Sequence, residues 1–192
     1  MRKMSQLAWI CLLAIFGTVA QSHAGTISYL GTTFSGPLWN RPNAGNPPVS
    51  PLSGIGTAVP FSVQPFSVSQ SGLYDFMSLS VAPTAWDNNL YLYRTSFNPL
   101  SPLTNAIIGN DDFPDIGMSG FSGVSLAPST NYLLVTTGFT NTSFGSFSNT
   151  VTGPGSIILP GSASVPEPTS IVIYGLGACI AFVRHRRRAA II

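Results

Sequence analysis

The chain has 192 residues, of which 7% are charged and 44% are hydrophobic, with 19 glycines and 16 prolines. The low charge, the apolar content and the abundance of turn formers argue against both a disordered chain and a helical one, and favour short strands. The net charge of +2 is segregated: Arg2 and Lys3 stand at the start and Arg184, Arg186, Arg187 and Arg188 near the end, so the mildly acidic middle offers no footprint for a nucleic acid.

In chain order, Arg2 and Lys3 precede an apolar stretch from Leu7 to Val19, followed by the small-x-small pattern Ser22-His23-Ala24. This predicts an N-terminal signal helix over residues 1–24, cut after Ala24. Its apolar part is too short to span a hydrocarbon core of about 30 Å. Residues 25–160 then form one predicted domain. No stretch in it holds a helical apolar period, and strand-like runs recur between turn signals. The runs are Thr26–Leu30, Val59–Val63, Phe66–Val68, Leu73–Leu79, Leu90–Arg94, Ala106–Gly109, Gly123–Leu126, Tyr132–Thr137 and Gly145–Val151. Ser71-Gly72, Asn88-Asn89, Asn98-Pro99 and Pro128-Ser129 separate them. Such spacing predicts an all-β, antiparallel β-sandwich. The most apolar runs, Leu90-Tyr91-Leu92-Tyr93 and Tyr132-Leu133-Leu134-Val135, belong in central strands. Ser35–Thr57, with Pro37, Pro42, Pro47, Pro48 and Pro51, is expected to lie over the sandwich as extended chain. Within it, Trp39-Asn40-Arg41 either contacts a ligand or pins the segment to the core.

Elimination narrows the chemistry. His23, His185, Cys11, Cys179, Lys3 and Glu167 are the sole residues of their types, and all lie outside 25–160. A Ser-His-Asp triad, a cysteine nucleophile, a lysine Schiff base and a histidine-ligated zinc are therefore excluded from the domain. It has no disulfide either. Five aspartates remain, so the one catalytic reading left open is an aspartate-based hydrolase of glycosidase type. Asp111 and Asp112, as neighbours on a strand, would face opposite ways. The expectation is a protein that is not an enzyme.

Calcium suits the aspartates better, since it takes oxygens from carboxylates, amides and carbonyls. Asn110-Asp111-Asp112-Phe113-Pro114-Asp115 gathers three carboxylates in a turn-rich stretch, and Asp87 with Asn88 or Asn89 could complete a site. The candidate ligands are Asp87, Asn89, Asp111, Asp112 and Asp115. The spacing is not that of an EF-hand. The alternative is a solvated acidic turn whose side chains bond the local backbone.

Residues 161–192 read as an address. Val165-Pro166-Glu167-Pro168 is followed by an apolar run from Ile171 to Val183 and then by Arg184, Arg186, Arg187 and Arg188. As a short transmembrane helix the run covers roughly 20 Å, and the arginines would stay on the cytoplasmic side. These three parts, in this order, resemble the PEP-CTERM sorting signal of Gram-negative bacteria, with Ala189–Ile192 following the arginines as a departure. The resemblance implies an exosortase-like membrane protease that recognises and processes the tail. It also implies a protein anchored transiently in the inner membrane, then found at the cell surface or outside the cell, in bacteria that make exopolysaccharide.

A second resemblance lies between Ala58 and Gly155. Ser71-Gly72-Leu73-Tyr74-Asp75-Phe76, Trp86–Tyr93, Gly109-Asn110-Asp111-Asp112 and Leu126–Val135 are similar to bacterial pre-peptidase C-terminal domains. That likeness implies a jelly-roll-like sandwich, accessory to enzymes and sometimes calcium-binding. The first functional expectation is an exported surface or matrix protein associated with exopolysaccharide. A calcium-dependent carbohydrate-binding or adhesion module is the alternative. Too few charges guard the strand edges, which predicts that the domain self-associates or binds a matrix polymer through an uncharged face.

Overall fold

The computed structural model describes residues 24–45, 51–81 and 86–160. The expected signal helix, the sorting motif Val165–Pro168, the short transmembrane helix and the arginine cluster lie outside them. The described residues contain strands and turns and no helix.

Ten strands form: β1 (Gly25–Thr32), β2 (Leu38–Trp39), β3 (Val59–Val68), β4 (Gly72–Ser80), β5 (Asn88–Arg94), β6 (Ala106–Asn110), β7 (Met118–Leu126), β8 (Tyr132–Gly138), β9 (Ser146–Gly153) and β10 (Ile157–Ile158). One sheet runs β1-β9-β4-β7; the other runs β10-β3-β8-β5-β6, with β2 also paired to β3. All of the strand pairings are antiparallel. Apart from the β5–β6 pair, the chain's long strands alternate between the sheets so that the first, β1, pairs with the last, β9, the double Greek-key arrangement of a jelly roll.

Alternation decides which side chains meet between the sheets. Phe66, Tyr74, Phe76, Leu90, Leu92, Phe121, Tyr132, Leu134 and Val151 form the interior. β5 is buried on both faces, because Tyr91 and Tyr93 point the other way, into a second cluster with Trp39, Val59, Phe61 and Val135. Within Ser35–Thr57, Trp39 supplies that cover. Trp39 packs edge-on against Tyr91 and Phe97, and its indole Nε1 donates to Thr137 Oγ1 at 3.0 Å. The pinning role of Trp39 is therefore the one observed.

Two expectations are corrected. Val59–Val63 and Phe66–Val68 are one strand, not two. Pro65 interrupts the apolar pattern but not the strand. It pairs with Leu133 on one side and lies on the other between the stretches where β2 and β10 attach, so no ladder bond needs its missing N–H. The strand expected at Gly123–Leu126 begins earlier, at Met118. A bulge opposite Asp75 interrupts its pairing with β4. There Gly123 adopts φ +69° and donates its N–H to Asp75 Oδ1 at 2.8 Å.

Candidate functional site

The register of the β5–β6 pair builds the site. Leu90 stands opposite Asn110. Counting on past the pair in an antiparallel ladder brings the chain before Leu90 alongside the chain after Asn110. Asp87 thereby meets Asp111 and Asp112, and the three carboxylates each place an oxygen within 4.8 Å of the others. β6 ends at Asn110, so the strand rule that sends neighbouring side chains to opposite faces does not apply to the two aspartates.

The nominated ligands divide. Asp87 and Asp111 are half-buried and Asp112 is exposed. Asp115 lies outside the converging group, and its carbonyl accepts from Met118 N at 3.0 Å in the turn leading to β7. Asn89 is fully buried beside the cluster. With its amide nitrogen toward the acids, it donates to Asp111 Oδ1 at 2.6 Å, while its oxygen faces the Tyr91 hydroxyl at 3.2 Å. In that orientation Asn89 holds Asp111 rather than offering an oxygen to a cation. Asn88 sends its Nδ2 to Ser78 Oγ at 2.9 Å, and its own oxygen is buried without a partner.

The electrostatics follow from crowding. Burial, reinforced by Asp87 and Asp112, pushes the Asp111 carboxyl up to about 6, against the opposing pull of Arg41. Burial and then Asp112 also raise Asp87, and again Arg41 pulls down. Asp87 Oδ1 is buried and has no hydrogen-bond partner. Three carboxylates at this spacing repel one another, and a divalent cation between them would reverse that. The donor set is all oxygen, which suits calcium.

Beside the acids an open cleft of about 530 Å³ is lined by Gly45, Asn110, Asp111, Asp112, Phe113 and Ser122, among others. Sequence reasoning missed both Phe113, which it placed only as a spacer between aspartates, and the buried Arg41. A basic residue in a Pro-rich, apolar-poor segment gave no signal of burial.

No protein-family model and no curated protein matches the chain. Among solved structures it is similar to the CBM35 from Cellvibrio japonicus Abf62, at 12% identity and TM-score 0.35, over 71% of this chain and 100% of that one. It is also similar to the K3 cleaved adhesin domain of Lys-gingipain from Porphyromonas gingivalis w83, at 13% identity and TM-score 0.31, over 68% and 91%. A nora virus structure is similar at 11% identity and TM-score 0.34, over 76% of this chain and 63% of that one. The two-sheet arrangement described above stands on this chain's own strand pairings.

Proposed function

We propose that the chain is an exported, non-enzymatic β-sandwich protein that works at the cell surface or in the extracellular matrix and associates with exopolysaccharide. An exosortase-like membrane protease sorts it through Val165–Pro168 and the arginines Arg184, Arg186, Arg187 and Arg188. One observation carries the binding reading. Residues 25–160 contain no His, Cys, Lys or Glu, and three of their five acids gather beside an open cleft, each with an oxygen within 4.8 Å of the others, as an all-oxygen donor set.

The test is co-sedimentation of the purified chain with the host's own exopolysaccharide, in calcium and in excess chelator. Retention in both conditions supports this reading, and no retention in either overturns it.

A calcium-dependent binding or adhesion module is the second reading, favoured by the orphaned Asp87 Oδ1. Asp87, Asp111 and Asp112 would hold the ion, and its charge would brace the β5 and β6–β7 loops. Retention lost in chelator alone would select this version. Calcium bound only by the folded state would also stabilise it by about 2.7 kcal/mol at a hundredfold excess over its dissociation constant. An unchanged thermal midpoint in chelator would reduce the cluster to a solvated turn.

A further inference from the structure

We infer that the cleft between β6 and β7 is a subsite for a neutral polysaccharide, with Phe113 as the face on which a sugar ring stacks. The inference rests on the polysaccharide reading above and names where and how the polymer would sit.

The cleft lies where the two sheets part, since β6 belongs to one and β7 to the other. Its walls are held by backbone. Asn110 Oδ1 accepts from Gly120 N at 3.0 Å and ties the two strands together. Across from them, Gly45 exchanges two backbone hydrogen bonds with Gly109, at 2.8 and 3.1 Å. The volume falls within the roughly 300–1,000 Å³ of small-ligand sites, and the cleft is open to solvent rather than enclosed.

Phe113 supplies the apolar surface. It is 40% exposed in a loop, with its backbone N–H fixed to Met118 O at 2.7 Å. One ring edge, at Cδ1, lies where a side chain on Gly120 would begin, 3.2 Å from that position. Glycine there lets the ring settle against the strand. A pyranose has an apolar C–H face and a rim of hydroxyls, so it needs an aromatic surface beside donors and acceptors. Ser122, Asn110 and the two aspartates line the same trough and supply them. The lining holds two carboxylates and no cationic side chain, so an acidic polymer would be repelled and a neutral one is selected. The cleft and the exposed ring carry the inference; the carboxylates serve in it only as hydrogen-bond acceptors.

Affinity electrophoresis of the purified chain tests it, through gels containing a neutral glucan, mannan, galactan or xylan, polygalacturonate, or the host's own exopolysaccharide. Wild type, F113A, F113W and F34A are compared. Phe34 is a fit control because it is exposed and packs edge-on against Phe144, outside the cleft. The expected result is retardation by a neutral polymer, weakened at least tenfold in F113A, kept in F113W and unchanged in F34A. F113A should keep the wild-type thermal midpoint to within a few degrees, and binding lost with an unchanged midpoint counts as support. Polymer binding that F113A leaves intact would overturn the subsite and spare the matrix reading. A preference for polygalacturonate would overturn the neutral ligand. No retardation by any polymer, the host's included, would overturn both.

Discussion

Arg41 is 2% exposed, yet all three nitrogens of its guanidinium are hydrogen-bonded. Nε and Nη2 donate to Phe139 O at 3.0 and 2.7 Å, and Nη1 donates to Pro42 O at 2.9 Å and to the Tyr91 hydroxyl at 3.3 Å. The cation also sits 4.9 Å from the Phe139 ring centroid. It thus staples the Ser35–Thr57 segment to the sheet and places a positive charge near the acids. R41M keeps most of the stem volume but leaves carbonyls without donors. It should lower unfolding free energy by about 3 kcal/mol in urea titration. Asp111 gives a second test at this scale. Its folded-state pKa lies above the ordinary 3.8, at about 6, so the folded state holds the proton more tightly than the unfolded one. This site's contribution to stability is therefore greatest below pH 4 and falls as pH rises toward 6. In chelator, D111N should flatten that decline in the thermal midpoint, and a decline of the same slope in the variant would remove Asp111 as its source.

At the scale of strands, the many glycines acquire a purpose. Gly31 faces Phe147 across β1 and β9, Gly109 faces Tyr91 across β6 and β5, and a side chain on Gly153 would meet the Tyr74 ring. In each case a large aromatic lies over the bare backbone of a neighbouring strand, which secures a pairing that glycine alone would weaken. G109A would drive a methyl group into the Tyr91 ring, whose hydroxyl holds Pro42 O at 2.6 Å. The expected loss is about 1–3 kcal/mol in chemical denaturation. G45A is the contrast, since its added carbon would meet nothing within 4 Å. It should be near neutral.

These pairings also explain what the sequence disclosed. The Leu-Tyr-Leu-Tyr run was legible as a central strand because burial on both faces leaves no polar alternation to hide it. β2 and β10 were not legible, because two residues carry no period. Of the site, the spacing of Asn110–Asp115 showed where carboxylates concentrate. That Asp87 joins them and Asp115 does not is a matter of register, which needs the partner strand. Phe113 and Arg41 were hidden for a related reason: exposure and burial in a loop are set by what crosses it, not by neighbours in sequence.

At the scale of the whole molecule, two edges are shielded. β2 and β10 cover parts of the outer side of β3, and Gly45 closes on β6. β1 and β7 stand at the two margins of the other sheet and neither carries a charge, but the bulge at Gly123 breaks β7, whereas β1 is regular along its length with Leu30 78% exposed. Self-association, if the uncharged surface drives it, should therefore run through β1. Light scattering over a wide concentration range should show wild type growing in mass and L30K remaining monomeric. Equal growth in L30K would place the contact elsewhere, and a monomeric wild type would end the idea. The address at the other end is tested separately. Replacing Pro166-Glu167-Pro168 with three alanines should leave the thermal midpoint unchanged and abolish C-terminal trimming in the host. The same trimmed mass in the variant would remove the exosortase reading.

The pairing of β1 with β9, from Gly25 against Gly153 to Thr32 against Ser146, sets a schedule for the newborn chain. The first strand to leave the ribosome, or a translocation channel, must wait for nearly the last before it has a neighbour. No early half of the chain can complete the four-stranded sheet. Closing so long a loop is slow, because its entropic cost falls due before any contact rewards it. The four-stranded sheet consequently stays open until Gly153 has emerged, and β1 remains extended and unpaired until then. For the same interval Gly25–Thr32 has no strand partner, and a holdase that binds it would shorten its exposure to other chains.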